Sequence, residues 1–314
     1  MIAESLITWL CRLAGAGLVA ACGWFVLFGY GGGSGEAEIV WGRRGVRAGD
    51  LVKPRAAAID ARDRLFLVDF TARIQVYDRD GQYRGPSWTT PDYRNGRPSG
   101  LSIDRDGNLL VSDSHYHCLR IYNHDGQLLR TIGGSPGSEP GQFGYISDAE
   151  QDSEGNFYVA EFGINERITK LDPDGKFLLC WGSRGTNPGQ FATIRSLAWG
   201  PDGYLYVADA CNHRVQVFTK NGQLVRVIGR PGENLGELKY PYDLAFSSKG
   251  VLYVVEYGNH RVQKFTPDGK SLGWWGGPGG EPGQLRSPWA LAIDSHDCIH
   301  VIDSENHRVQ RIAF

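Results

Sequence analysis

The stretch LYVADACNHRVQVF, residues 205–218, decides the reading of this chain. An apolar run, Leu205-Tyr206-Val207-Ala208, stops at Asp209; a polar Asn212-His213-Arg214 follows, and then Val215-Gln216-Val217-Phe218. Two short runs rich in Val, Tyr and Phe, joined by a few polar residues, read as consecutive strands. The same pattern returns as Leu252-Tyr253-Val254-Val255-Glu256 with Asn259-His260-Arg261-Val262-Gln263-Lys264-Phe265, and again at Asp303 and Asn306-His307-Arg308-Val309-Gln310. Outward from these copies, the closing acid recurs as Asp69, Asp113, Glu161, Asp209, Glu256 and Asp303, at intervals of 44 to 48 residues. A period of that length is the mark of propeller blades, and six acids make six blades.

Each copy holds four apolar runs; in the fourth they are Ser196 to Trp199, Tyr204 to Ala208, Val215 to Phe218 and Leu224 to Ile228. Asp80-Gly81, Asp125-Gly126, Asp174-Gly175, Asn221-Gly222 and Asp268-Gly269 separate third and fourth runs and predict two-residue hairpins, because Gly supplies positive φ there. With 43 Gly, 15 Pro, 11% aromatics and a single Met, composition also favours short strands and tight turns over helices. The expected fold is all-β: a six-bladed β-propeller of four-stranded antiparallel blades over residues 38–314. The last copy reaches Phe314 without a fourth strand, whereas Glu38 to Gly45 parallels Leu178 to Gly185, the outer strand of the third copy. The N-terminal strand is therefore expected to complete the last blade and close the ring, so that no sheet edge is left at the seam.

The motif acid-x-x-Asn-His-Arg-Val-Gln, after an apolar-Tyr-Val strand and before a Gly turn, resembles the NHL repeat, and the resemblance runs over residues 38–314. It implies a six-bladed propeller. Relatives of that kind include peptidyl-hydroxyglycine amidating lyases and lactonase-like hydrolases, which use a metal in the channel, and animal TRIM-NHL proteins, whose basic face reads single-stranded RNA. In the lyases the ligands are histidines near the start of inner strands. The corresponding positions here carry Arg, Ser, Tyr and Trp, so zinc lyase chemistry is not expected in that form.

Ahead of the repeats, Leu13 to Tyr30 is uncharged, and as a helix it would reach about 27 Å, nearly a bilayer. Residues 1–30 read as a transmembrane or signal segment and 31–37 as a flexible linker. Retention as an anchor, cleavage as a secretory signal, and lipidation at Cys22 within Val19-Ala20-Ala21-Cys22 are the three alternatives. Arg12 before the span and Glu36 and Glu38 after it favour a domain outside the cytoplasm, periplasmic or extracellular, and secreted if the signal is cleaved.

In a propeller the first strand of each blade lines the central channel. Residues just before these strands form a ring at its mouth: Arg55, Ser99, Ser147, Arg195, Tyr242 and Trp289, with Asp148 and Asp243 one step further in. This ring differs between copies while the scaffold repeats, which marks it as the ligand site. Arg55 and Arg195 suit a carboxylate or phosphate, Tyr242 and Trp289 suit stacking, and Asp148 and Asp243 suit an amine or a hard cation such as calcium. The competing reading is a channel plugged by residues paired with one another. No cofactor is otherwise indicated, and no catalytic residue stands out.

The six recurring acids are expected to fasten turns, accepting hydrogen bonds from the following loop, and His213, His260 and His307 belong to the same turn. In the second copy Asp113-Ser114-His115-Tyr116-His117-Cys118 breaks the register; His115-x-His117 has metal-like spacing on a strand, although an irregular exposed loop is the expectation. Cys118, Cys180, Cys211 and Cys298 are expected to be small buried hydrophobes rather than zinc ligands.

A net charge of −2 excludes a chain-wide basic nucleic-acid binder. A local patch of Arg43, Arg44, Arg47, Lys53, Arg94 and Arg97 is interrupted by Asp92, Glu233, Glu237 and Glu281, so nucleic acid is not the expected partner. The leading reading is a monomeric, membrane-tethered module that binds a protein or small ligand through the channel mouth. A metal-dependent lyase or hydrolase is the alternative, and RNA binding the third.

Overall fold

A computed structural model describes Gly32–Gly33 and residues 36–314. The transmembrane or signal segment 1–30, most of the linker and Cys22 lie outside the described residues. Among the described residues no helix is long and apolar enough to cross a membrane. The chain divides into residues 1–33 and 34–314, and the second unit is a six-bladed β-propeller.

The blades begin with inner strands Ala56–Ile59, Gly100–Ile103, Tyr145–Gln151, Ile194–Trp199, Pro241–Phe246 and Ala290–Ile293. Each leads outward through antiparallel neighbours, as in blade 4 through Leu205–Asp209, Arg214–Phe218 and Leu224–Ile228. Leu205–Asp209 is buried throughout because a blade lies on either face, which is why it reads as one continuous apolar run. The outer strand Leu224–Ile228, by contrast, exposes Leu224 and Val225 and buries Ile228.

The apolar cores lie between blades: Tyr158, Ala160 and Ile168 of blade 3 pack with Leu197, Leu205 and Val207 of blade 4. The ring closes as the sequence predicts. Ile39, Val40 and Trp41 pair antiparallel with Arg311, Gln310 and Val309, and the Trp41 ring lies 4.7 Å from that of Tyr77 in blade 1.

The Gly turns differ from expectation. Thr219 N–H donates to Gln223 C=O, Gly222 N–H donates to Thr219 C=O, and the register shifts between Val217 and Phe218. The loop is thus a longer turn with a bulge, not a two-residue hairpin. Gly222 sits at φ +78°, and a Cβ there would stand 2.6 Å from the Trp181 ring of the preceding blade.

The repeated motif is a staple between strands and the connection that enters the blade. Asp209 accepts the N–H of Ala192, Glu256 that of Lys239, and Asp303 that of Arg286, at 2.7–3.0 Å. These backbone donors precede the acid in the chain; the following loop contributes as the sequence reading expected, through Thr71 N–H to Asp69 and through the side-chain amides of Asn212, Asn259 and Asn306 to Asp209, Glu256 and Asp303. Arg214 binds Asp209 at 2.8 Å and donates to the carbonyls of Thr186, Asn187 and Gln190, and Gln216 donates to Gln190 C=O as well. Arg261 and Arg308 repeat this pattern.

His213 ends a 3-10 turn with φ +56°, and its Nδ1 accepts the N–H of Tyr240 in the connection to the next blade. Blade 2 keeps this register rather than breaking it: the turn Ser114–Tyr116 ends at His117, the counterpart of His213. Cys118 then occupies the arginine position, and Arg120, two residues on, meets Asp113 at 2.7 Å. Cys118 and Cys298 are buried as expected, but Cys180 and Cys211 are exposed, the first because it lies on an outer strand and the second in a surface turn.

Candidate functional site: the channel mouth

Arg55, Ser99, Ser147, Asp148, Arg195, Tyr242, Asp243 and Trp289 all line one cavity of about 290 Å³, which runs along the inner strands, from Arg55 to Ile59 in blade 1 and from Trp289 to Ile293 in blade 6. The ladder fixes them there. Arg55 N–H donates to Val68 C=O, Ser99 N–H to Ser112 C=O, and Trp289 N–H to Ile302 C=O, so each side chain leaves its strand at the same height. Glu150, which the sequence reading omitted, lines the cavity too.

Part of the ring serves the scaffold. Ser99 Oγ donates to Ile146 C=O at 2.7 Å, and Ser147 Oγ faces Ala160 C=O at 3.4 Å. Asp148 accepts the N–H of Leu197; Asp243 accepts Ser196 Oγ at 2.6 Å and the N–H groups of Leu244 and Leu291. These carboxylates tie adjacent inner strands together. Burial, and then the charge of Asp243, raises the Asp148 pKa; burial lifts that of Asp243 to about 6. Among the described residues no group of three His, Cys, Asp or Glu side chains could hold a metal ion, and these acids already spend oxygens on backbone amides. The residues do not fit the hard cation that the sequence suggested.

The arginines are different. The Arg55 guanidinium lies 4.8 Å from the Trp289 ring; that of Arg195 lies 4.7 Å from Tyr242 and 5.8 Å from the same Trp289. Neither makes an ion pair among the described residues, and the Nε of each is buried without a partner. Burial first, then the charges of Arg195 and Arg97, pull the Arg55 pKa down to about 10. Two cations within 6 Å of one indole ring, neither in an ion pair among the described residues, form a site that can take an anion.

Other residues here were not singled out from the sequence. Tyr257 stacks on Tyr242 at 4.5 Å, and Phe162 lies 5.5 Å from the Arg195 guanidinium. Both directly follow the blade acid, a position held by Phe70, Phe162 and Tyr257 in blades 1, 3 and 5 and by Ser114, Ala210 and Ser304 in blades 2, 4 and 6. That alternation was the available signal. His115 and His117 flank Tyr145 at 5.1 and 5.4 Å, and His117 Nδ1 is bonded to Gly144 C=O, so the His-x-His pair sits on a turn rather than a strand. Within the basic patch, Arg43, Lys53 and Arg94 are paired with Asp50, Glu305 and Asp92.

Fold and site together define a six-bladed propeller with a basic, aromatic channel mouth. The family described as NHL repeat matches three stretches of the chain, residues 95–122, 191–218 and 238–265. The chain is 40% identical over 91 residues to peptidylglycine alpha-amidating monooxygenase of Rattus norvegicus, a match covering 27% of this chain and 9% of that protein. The matched stretch thus spans under a tenth of that relative's length. Among solved structures, a catalytically inactive virginiamycin B lyase from Staphylococcus aureus with quinupristin aligns with TM-score 0.60 at 16% identity, covering 87% of this chain and 85% of that one. A gluconolactonase from Xanthomonas campestris aligns with TM-score 0.63 at 15% identity, covering 83% and 87%. At these identities the likeness is one of fold.

Proposed function

We propose that this propeller binds a small organic anion at its channel mouth, the anionic group held by Arg55 and Arg195 and the body of the ligand stacked on Tyr242 and Trp289. The observation that carries this reading is the pair of unpaired, half-buried guanidinium groups sharing the Trp289 ring. The cavity of about 290 Å³ suits a small molecule rather than a folded partner. The apolar run Leu13 to Tyr30 supports a tether that holds the domain outside the cytoplasm. Calorimetric titration of acetate and benzoate tests the site: binding that weakens about tenfold in Arg55→Gln and Arg195→Gln supports it, and absence of heat with both anions sinks it.

A second reading, acid–base catalysis on the bound ligand, rests on one observation. Asp243 holds its proton up to about pH 6 on the cavity wall, close to where a carboxyl works best as acid or base in neutral solution. The gluconolactonase with the same fold makes gluconolactone the first substrate to assay; no turnover beyond the spontaneous rate would remove this reading.

A further inference from the structure

We infer that the ligand carries two anionic groups, the second held by Arg97 beside His115; this rests on the anion site at Arg55 and Arg195. Arg97 comes from the connection between blades 1 and 2 and packs on Phe70, whose counterparts Phe162 and Tyr257 face Arg195 and Tyr242; it stands at the rim, outside the residues that line the cavity. That connection is the exception in the molecule. The five others that precede a blade are closed by one parallel bridge each, Arg44 to Leu51, Pro136 to Phe143, Arg184 to Phe191, Pro231 to Leu238 and Pro278 to Leu285. No such bridge is described between Thr89 and Gly100.

The scaffold gives something up for this departure. Arg120 keeps its bond to Asp113 but, among the described residues, donates to no carbonyl of the connection, and Asp113 Oδ1 is buried without a partner. A connection that abandons the staple used elsewhere at a cost in stability is explained by what it delivers to the mouth.

It delivers Arg97, whose guanidinium carbon lies over the Phe70 ring, 4.0 Å from its centroid, with a buried Nε that has no hydrogen-bond partner. Among the described residues no carboxylate pairs with it. Its charge acts on Arg55 and on His115, and Gly96, the residue before it, lies so close to His115 that a Cβ would meet the imidazole at 2.1 Å. The Arg55 charge in turn acts on His115, so the charges of Arg195 and Arg97 both bear on Arg55, and those of Arg55 and Arg97 both bear on His115. His117 and Tyr145 back the imidazole, and neither offers a negative charge. One carboxylate or phosphate spans two guanidinium groups; three unpaired guanidiniums and an imidazole call for a second anionic group on the same ligand. Small dicarboxylates and phosphorylated acids are the matching chemical class.

Calorimetry on the full chain at pH 7.5 with acetate, malonate, succinate and glutarate tests this. At least one dicarboxylate should bind ten times more tightly than acetate. Arg97→Gln should erase that advantage and leave acetate binding unchanged, while Arg97→Lys keeps part of it and shows that the charge, not the fold, is responsible. If all four anions bind alike, or if Arg97→Gln keeps the advantage, the second anionic position is wrong while the first stands. If none binds, both fall together.

Discussion

The backbone N–H of Tyr240 donates to Nδ1 of His213 at 3.0 Å, which joins the second-to-third-strand turn of blade 4 to the entrance of blade 5. Ser287 N–H donates to His260 and Lys53 N–H to His307 in the same manner, the latter across the ring closure. Blade 3 has Glu166 instead, which accepts Thr193 N–H at 2.8 Å. Blades 3 to 6 thus share an acceptor at this position, whereas His117 of blade 2 donates to Gly144 C=O instead.

Protonation removes that acceptor. Burial lowers the pKa of His213, His260 and His307, so the folded state prefers the neutral rings. Stability from these latches is full above the unfolded value near 6.5 and is lost as pH falls from there through the lower folded values. Asn tolerates the left-handed backbone of His213 and places an oxygen where Nδ1 stands. His213→Asn should therefore flatten the loss of stability between about pH 7.5 and 5 by roughly 0.5–1 kcal/mol. Urea unfolding at the two pH values checks it; an unchanged slope refutes the latch.

Arg214 neutralises Asp209 and holds three carbonyls of the incoming connection, and both side chains are buried. Arg214→Met strands the carboxylate, and breaking a buried pair in this way costs about 3–5 kcal/mol. Arg120→Met, which strands Asp113 but no connection carbonyl, should cost less. Denaturant midpoints of the two variants rank the contributions, and equal losses would mean that the carbonyl bonds add nothing.

The scaffold was legible in the sequence because every blade solves the same burial problem and so repeats the same residues. Six acids in register gave six blades, and the kinship of Glu38 to Gly45 with Leu178 to Gly185 gave the closure. The ring residues were legible through their disagreement with one another. Arg97 was read only as part of a diffuse basic patch, because its place at the mouth comes from a connection that fits no repeat. The bonds of Ser99 and the strand-bridging role of Asp148 and Asp243 were also hidden, since they run between blades 47 to 49 residues apart in the chain.

Ring closure predicts its own weak point. Removing residues 36–45 leaves the strand Arg308–Ile312 with a bare edge and uncovers Tyr77, against which Trp41 packs. A loss of about 4 kcal/mol would lower the Tm by roughly 8–16 °C in a domain of this size. An unchanged Tm would mean that the seam is held by something else.

Anion affinity should depend on pH through Asp243. Its folded pKa is raised to about 6 by burial, so the carboxyl is neutral below that value and negative above it. A negative charge on the cavity wall opposes an anionic ligand, and affinity should fall roughly threefold to tenfold as pH rises through the transition. Methanesulfonate, which stays ionised throughout, isolates the effect. In Asp243→Asn the remaining dependence should be that of Asp148 and Glu150, which line the same cavity with pKa values also raised by burial, together with His115, whose pKa is lowered by burial and by Arg55, His117 and Arg97. A profile unchanged by the substitution would clear Asp243 of the role.

Arg55 should show opposite effects on stability and on binding. In the free protein its charge is half-buried, faces Arg195 and Arg97, and meets no carboxylate, so folding works against it. Replacing it with Gln removes the repulsion and keeps a polar group on the Trp289 face. The ligand-free variant should gain roughly 1–2 kcal/mol, as happens where a functional site is held in an unfavourable state. The same substitution takes away the first anchor of the anion, so the rise in Tm that millimolar acetate or succinate produces in the wild type should nearly vanish. Thermal unfolding with and without these anions reads both signs in one experiment. A plug residue would behave differently: its loss would lower the Tm and leave the response to anions as it was.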